Sequence, residues 1–289
     1  MKKVFIAIAM ALVATLTLNA QIFYKVEGNG LKEPSYIFGT HHFAPEAMLD
    51  SLPQVIEAFK QTKCVVGELV MPDNPMELAS EMQPYMMAPA DSTLRVLIPA
   101  EQFAAADSAF AAITGGMRLD MFNMMKPAVA QSTVTAIMAQ KEFPQSGQLD
   151  TYFQSLARRD SMQVAGLETG KFQASILFGT VPLKKQAETL VADLKNPQKS
   201  MESTRELSTA YMNRDADALW KIAEESANEA DDTFFEILLN KRNQAWLEKL
   251  PDMMKQQPLF VAVGALHLYG DKGLVNGLRQ KGFTVTPIL

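Results

Sequence analysis

The sequence predicts an α/β fold in which a central, mainly parallel sheet is flanked by helices and carries helical insertions. Three observations predict it. Short apolar runs recur along the chain, amphipathic helices lie between them, and two longer blocks rich in alanine and methionine interrupt the alternation. Strands that are apolar on both faces are typical of a parallel sheet that helices cover.

The first strand–helix–strand unit begins at "SYIFGTHH" (35–42), a run rich in β-forming residues. The segment "SLPQVIEAFKQT" (51–62) follows as a helix, with Ser51 and Gln54 placed as a capping box. "KCVVGELV" (63–70) is the next strand and is apolar on both faces. One apolar stripe of the helix contains Leu52, Val55, Ile56 and Phe59. This order predicts a βαβ unit.

Two more apolar runs follow predicted helices. "MQVAGLET" (162–169) comes after the helix "LDTYFQSLARRD" (149–160). "LFVAVGALH" (259–267) comes after the helix "TFFEILLNKRNQAWLEKL" (233–250). Both runs are therefore predicted to be strands of the same sheet.

The chain closes with a predicted helix, "KGLVNGLRQK" (272–281), which Gly282 ends, and a last strand, "FTVTPIL" (283–289). The blocks 75–145 and 180–232 read as mainly helical, and we expect them to be insertions over the sheet.

The first 20 residues have the pattern of a secretory signal. Two lysines precede an apolar stretch from Val4 to Leu18, and small residues lead to Ala20. The apolar stretch is shorter than the roughly 20 residues of a membrane-spanning helix. We expect cleavage after Ala20, export to the periplasm or the cell exterior, and a single domain over 21–289.

Charge and cysteine content exclude several classes of protein. Without Lys2 and Lys3 the chain keeps 25 basic and 32 acidic residues, a net charge of −7, with no basic face for nucleic acid. No later segment is long and apolar enough to span a membrane. Cys64 is the single cysteine, so no internal disulfide forms, and its apolar run predicts a buried residue.

Ionisable residues stand where the four apolar strands end. The first strand leads to His41 and His42, the next to Glu68, and the other two to Glu168 and His267. Ligands of open parallel sheets bind outside the carboxyl ends of the strands. If these strands are neighbours, two carboxylates and two or three imidazoles meet at one edge.

Each of these residues also has a structural explanation. A histidine at a strand end is often a hydrogen-bonded structural residue, and a glutamate there can cap the next helix. Together, however, the residues form the mixed histidine and carboxylate set that Zn²⁺, Mn²⁺ or Co²⁺ accepts. Gly39 and Gly264 stand three residues before a histidine, and their lack of Cβ permits close approach of backbone or ligand.

The Gly-x-x-His spacing selects His42 over His41. Successive strand residues point to opposite faces, so only one of the two can point directly into a given site. Gly39 precedes His42 by the same three residues that separate Gly264 from His267. His41 is the weaker candidate.

Arg242 and Asn243 lie on the inward face of their predicted helix, between Leu239 and Trp246 of an apolar stripe that begins at Phe235. An inward arginine requires an acidic partner, for which Glu68 and Glu168 are the candidates, because an unpaired buried charge is costly. The pair is either a structural ion pair or a means of orienting substrate and stabilising an oxyanion.

These segments resemble the TraB/GumN (Tiki-type) family. The resemblance rests on "FGTHH", "GELV", "LDTYFQSLARRDSMQVAGLET", the "KRN" helix and "VGALHLYGDKGLVNGLRQKGFTVTPI", in family order over 21–289. It implies an α/β domain related to erythromycin-esterase-like and haem-binding ChaN-like proteins.

The resemblance also implies a site. Animal members resemble metal-dependent proteases that act outside the cell. Carried over to this chain, the metal-site residues are His42, His267 and Glu68, and the companions are Glu168, Arg242 and Asn243. His41 departs from the apolar residue that is commoner at its place, which leaves its role open.

Two functions are therefore considered. The first is an exported hydrolase of peptides or proteins that uses Mn²⁺, Co²⁺ or Zn²⁺, in which one glutamate binds the metal and the other acts as general base. It is not of the HExxH type, because that motif is absent from the sequence. The alternative is a ChaN-like protein that binds a metal or haem without turnover.

Overall fold

The computed structural model describes residues 21–230 and 236–289, so the predicted signal peptide lies outside the described residues. Within them the chain forms a six-stranded sheet, mostly parallel, flanked by helices. The strands are β1 (Phe23–Glu27), β2 (Ser35–Thr40), β3 (Cys64–Gly67), β4 (Gln163–Gly166), β5 (Leu259–Gly264) and β6 (Thr284–Pro287). The predicted fold class is confirmed.

The strand order is β4-β3-β5-β2-β1-β6. The first four strands in this order are mutually parallel, and β1 pairs antiparallel with both β2 and β6. Gly67 lies opposite both Gly166 and Ala262, and Thr40 lies opposite Gly264. The carboxyl ends of the four predicted strands therefore meet at one edge of the sheet.

Helices fill the connections between the strands. They are α1 (Pro53–Lys60), α2 (Pro75–Met86), α3 (Leu94–Leu97), α4 (Ala100–Thr114), α5 (Pro127–Glu142), α6 (Leu149–Arg159), α7 (Gly170–Gly179), α8 (Leu183–Lys195), α9 (Pro197–Ser200), α10 (Glu202–Met212), α11 (Ala216–Ala230), α12 (Lys241–Gln256) and α13 (Leu274–Gln280). Shorter turns are the 3₁₀ segments Glu46–Ser51, Leu119–Phe122 and Ala265–Leu268, and the π-helical segment Glu236–Asn240. No described helix has the length and apolar character needed to cross a membrane.

The start of α1 differs from the predicted capping box. The 3₁₀ segment Glu46–Ser51 ends one residue before the helix, and the Ser51 hydroxyl donates back to the Met48 carbonyl at 2.8 Å. Gln54 donates instead to the Leu289 carbonyl at 3.0 Å. Pro53 at the first helical position needs no capping acceptor, since it has no N–H.

The sheet and the helices that cover it share one core. Phe153 of α6 packs on Phe260 of β5, with ring centroids 4.7 Å apart, and on Phe38 of β2 at 5.5 Å. Cys64 is buried in this core, as the sequence predicts, and burial raises the pKa of its thiol.

The helical blocks are only partly insertions over the sheet. Helices α3, α4, α5 and α8 pack on one another around a second core, which includes Leu94, Phe103, Phe110, Val134, Leu190 and Leu194. Helices α10 and α11 instead contribute Ala210, Tyr211, Ala216 and Leu219 to the core of the sheet. The predicted block 180–232 is thus divided between the two cores.

Candidate functional site

The four strand ends converge where the sequence predicts. Glu68 directly follows β3 and Glu168 comes two residues after β4. His267 lies in the 3₁₀ turn after β5, and His42 comes two residues after β2. The first turn of α12 brings Arg242 against Glu68, Glu168 and His267, whereas His42 contacts Asp150.

Arg242 is the centre of the cluster. Its side chain is buried, and all five of its N–H groups have acceptors. Nε donates to Glu168 Oε2 at 3.1 Å, and Nη2 donates to Glu168 Oε1 at 2.6 Å and Glu68 Oε2 at 2.5 Å. Nη1 donates to the Leu238 carbonyl at 3.0 Å and contacts His267 Nε2 at 3.1 Å. The prediction that Arg242 points inward and pairs with an acid is confirmed.

Glu168 is the buried carboxylate of the pair. Its side chain is 3% exposed, and it takes the guanidinium of Arg242 in a two-point fork. Trp246 Nε1–H donates to Oε2 at 3.2 Å, and Gln173 Nε2–H donates to Oε1 at 3.2 Å. Both oxygens are therefore occupied by protein donors.

Glu68 is the carboxylate that solvent reaches, with a side chain 21% exposed. Its Oε2 accepts from Arg242 and from Gln173, and its Oε1 accepts the Gly264 N–H at 2.9 Å. Burial alone would raise the pKa of this carboxyl. The neighbouring His267 and Arg242 and the Gly264 N–H lower it instead, to about 2. Glu68 is ionised at neutral pH.

The hydrogen bonds around His267 define its tautomer. The Asn243 amide nitrogen donates to the carbonyls of His267 and Lys272, at 3.1 and 3.0 Å, so the amide oxygen is the acceptor. That oxygen lies 2.6 Å from His267 Nδ1, which is therefore the protonated nitrogen. Nε2 keeps its lone pair, accepts the Arg242 N–H, and lies 3.7 Å from Glu68 Oε1.

Burial keeps His267 neutral. It lowers the pKa of the imidazole to about 3, with Arg242 acting in the same direction and Glu68 against it. The indole ring of Trp246 covers the imidazole at a centroid distance of 4.3 Å. His267 thus presents an unprotonated Nε2 at neutral pH, as a metal ligand or a hydrogen-bond acceptor requires.

His42 is the exposed imidazole of the site, with a side chain 75% exposed. Its Nδ1 lies 3.3 Å from Asp150 Oδ2, while the Thr40 hydroxyl donates to Asp150 Oδ1. The contact with Asp150 raises the pKa of His42, and the negative charges of Asp150 and Glu68 act in the same direction.

His41 has a different environment. Its Nε2 lies 2.8 Å from the Ser208 hydroxyl, which itself donates to the Thr204 carbonyl, so Nε2 carries the proton. The rings of Phe43 and Tyr211 pack against it. Burial lowers the pKa of His41 to about 4. These contacts make His41 a packed, hydrogen-bonded residue and leave it the weaker candidate.

The two motif glycines permit close packing at the sheet edge. A Cβ on Gly39 would lie 2.9 Å from the Ala265 Cα, inside the distance that real Cβ atoms show. A Cβ on Gly264 would lie 3.2 Å from Glu68 Oε1, the oxygen that the Gly264 N–H binds. Each glycine thus allows one strand end to approach another part of the site.

Four residues of the site were not predicted from the sequence: Thr40, Asp150, Gln173 and Trp246. Trp246 follows Arg242 by four residues on the recognised apolar stripe, a spacing that places the two on one helix face. Asp150 carries no comparable signal, because its partners Thr40 and His42 are remote in sequence, and Gln173 has one remote partner, Glu68, beside the nearby Glu168.

Acid should destabilise the fold through His267 and His41, whose pKa values are lowered in the folded chain. His267 and His41 titrate at about 3 and 4 in the folded chain, against about 6.5 when unfolded. The unfolded state therefore binds more protons below pH 6.5, and stability falls as pH falls. Each residue can account for roughly 2–3 kcal/mol between pH 7 and pH 4. The raised pKa of His42 acts in the opposite direction.

Urea unfolding at pH 7, 5.5 and 4 measures this dependence. His41→Gln and His267→Gln should each give a flatter dependence of the unfolding free energy on pH than the parent chain. A parent chain equally stable at the three pH values would contradict the expectation.

Within residues 21–230 and 236–289, no group of three or more histidine, cysteine, aspartate or glutamate side chains is arranged to hold a metal ion. Glu68 Oε1 and His267 Nε2 form a pair 3.7 Å apart, and His42 Nδ1 and Asp150 Oδ2 form another at 3.3 Å. A metal at this site is therefore an expectation that requires an experiment.

Comparison with known proteins identifies one family. A model described as the TraB/PrgY/gumN family matches residues 22–287 of the 289, and so spans nearly the whole chain. No curated protein and no solved structure matches the chain.

Proposed function

The chain belongs to the TraB/PrgY/gumN family, and on that premise we propose that it is an exported, metal-dependent hydrolase of peptide bonds. The observation that carries the proposal is the pairing of an ionised, solvent-reachable Glu68 with a neutral His267 whose Nε2 is unprotonated, 3.7 Å away. His42 follows the neighbouring strand end and completes the expected set of ligands.

The donor set fits a divalent ion. His267 places Nδ1 on an amide oxygen and His42 places Nδ1 on a carboxylate oxygen, as metal-binding histidines commonly do. In both residues Nε2 is then the nitrogen left for a ligand. The separation of 3.7 Å between Glu68 Oε1 and His267 Nε2 is one that two ligands of a single ion can have.

The charge of the cluster also favours a cation. Glu68 and Glu168 together carry two negative charges, Arg242 carries one positive charge, and His267 is neutral. The cluster therefore has a net charge of −1, and Glu68 is its partly exposed carboxylate. Binding at His267 Nε2 would replace the Arg242 Nη1 contact, and Arg242 would keep its contacts to both carboxylates and to the Leu238 carbonyl.

When bound by His42, His267 and Glu68, Mn²⁺, Co²⁺ or Zn²⁺ would lower the pKa of a coordinated water and polarise the scissile carbonyl. The remaining residues position this set. Glu168 and Trp246 hold Arg242, which in turn holds Glu68, and Asn243 orients His267. Arg242 and Asn243 are buried with their N–H groups engaged, so positioning is the role that we assign to them.

The proposal predicts that His42→Ala and His267→Ala lose both metal and hydrolytic activity, because each removes one ligand. His41→Ala should keep both, since its imidazole binds Ser208. Metal content is measured by mass spectrometry after reconstitution with Mn²⁺, Co²⁺ or Zn²⁺, and cleavage of a peptide library is measured with and without chelator. Circular dichroism confirms that each variant is folded.

The outcomes separate the alternatives. If the parent chain binds none of the three metals and chelator leaves hydrolysis unchanged, the metal-dependent reaction is refuted. Metal bound without cleavage would favour the non-catalytic metal- or haem-binding protein. Equal losses in all three variants would refute the choice of His42 over His41.

A further inference from the structure

We propose that Asp150, held by Thr40, is a positioning residue that sets the ring orientation and tautomer of His42. The inference rests on the proposed function, since its consequence is an unprotonated Nε2 on His42 for a metal ion. Asp150 is the second residue of α6. It therefore does not belong to the strand-end residues from which the site was predicted.

The contact geometry carries the first step. The Thr40 hydroxyl at the end of β2 donates to Asp150 Oδ1, which leaves Oδ2 to face His42 Nδ1 at 3.3 Å. Thr40 is buried, and the Asp150 side chain is 22% exposed. The carboxylate therefore bridges β2 and the first turn of α6, and its orientation is fixed from the protein side.

Chemistry carries the second step. An ionised carboxylate only accepts hydrogen bonds, so a neutral imidazole beside it must carry its proton on Nδ1. Asn243 imposes the same tautomer on His267 through its amide oxygen. The two histidines of the site thus have the same nitrogen protonated, although an acid holds one and an amide holds the other.

Exposure carries the third step. His267 is 3% exposed and packs under Trp246, so its ring is held by packing as well as by Asn243. The His42 side chain is 75% exposed and has little packing of that kind. The 3.3 Å contact with Asp150 is accordingly the main restraint on the His42 ring, and its loss should release the ring.

The test uses Asp150→Asn, which preserves shape. The Thr40 hydroxyl still donates to the amide oxygen, which turns the amide N–H₂ towards His42 Nδ1 and favours the tautomer protonated on Nε2. The chain contains three histidines, so long-range ¹⁵N–¹H correlation spectra of the metal-free protein resolve each tautomer, at a pH where all three are neutral. His267 is the internal control and should not change.

We expect His42 to be protonated on Nδ1 in the parent chain and on Nε2 in Asp150→Asn. Calorimetric titration with Zn²⁺ should show affinity about 10–100-fold weaker in the variant, the usual cost of losing an outer partner of a ligand. Thr40→Val should fall between the parent and Asp150→Asn, and Thr40→Ser should match the parent because it keeps the hydroxyl.

If Asp150→Asn keeps the Nδ1 proton on His42, or binds Zn²⁺ as tightly as the parent, the positioning role is wrong. The tautomer is read without metal and without turnover. If the parent chain binds none of Mn²⁺, Co²⁺ and Zn²⁺ and chelator leaves its hydrolysis unchanged, but the His42 tautomer still changes on substitution, the proposed function is refuted and the role of Asp150 stands.

Discussion

Arg242→Met is expected to destabilise the protein by about 3–5 kcal/mol, the usual cost of removing one partner from a buried ion pair. The substitution leaves Glu168 buried and Glu68 largely buried without their shared counter-charge, and it removes the N–H that His267 Nε2 accepts. Methionine fills a similar volume, so lost charge pairing dominates the effect. Urea unfolding of the two proteins at pH 7 measures it.

Arg159→Met is the matched control. The Arg159 side chain is 72% exposed and pairs with its chain neighbour Asp160, so its loss should cost less than about 1 kcal/mol. Adding Glu68→Gln and Glu168→Gln to Arg242→Met should restore part of the loss, because no uncompensated charge then remains. Similar costs for Arg242→Met and Arg159→Met would show that the network does not stabilise the fold.

Glu68→Gln is expected to reduce activity and metal binding, whereas Glu168→Gln is expected to reduce stability. Glu68→Gln removes the carboxylate that solvent reaches, and hydrolysis should fall by about 10²–10⁴-fold with loss of bound metal. Glu168→Gln places an N–H₂ group against donors that the carboxylate now satisfies, those of Arg242 and Trp246. It should lose about 1.5–3 kcal/mol of stability and retain metal.

The two glutamate variants are compared by three measurements: kcat on the best peptide substrate, metal content, and the free energy of unfolding in urea. A Glu68→Gln protein with parental kcat would remove Glu68 from the reaction. If Glu168→Gln lost metal without losing stability, the assignment of the two carboxylates would have to be exchanged.

Much of the fold follows from patterns that are local in sequence. The predicted segments at 35–42, 63–70, 162–169 and 259–267 each contain one strand of the parallel part of the sheet. The strand β1 was not predicted, since its five residues are mixed: Phe23, Tyr24 and Val26 are buried, whereas Lys25 and Glu27 are partly exposed. Its place in the sheet comes from pairing with β2 and β6.

The predicted capping box fails for a related reason. Ser51 and Gln54 have the residue types and spacing of that motif, but Ser51 ends a 3₁₀ segment, and its hydroxyl donates to the Met48 carbonyl within that segment. The Gln54 side chain donates instead to the carbonyl of Leu289, the last residue of the chain. A local motif thus gave way to competing hydrogen bonds that depend on the packed fold.

For the site, the residues at strand ends were readable from the sequence because strand direction and parallel order place all carboxyl ends at one edge. Arg242 was readable because helical periodicity puts it on the buried stripe. Three properties of the site were decided only by tertiary packing. Glu168 is buried whereas Glu68 is partly exposed to solvent, Nε2 of His267 is unprotonated, and Asp150 contacts His42. These properties depend on hydrogen bonds between residues far apart in sequence, such as Arg242 and Glu68, which are 174 positions apart. Such pairs form only when the sheet and α12 pack together, and periodicity carries no information about them.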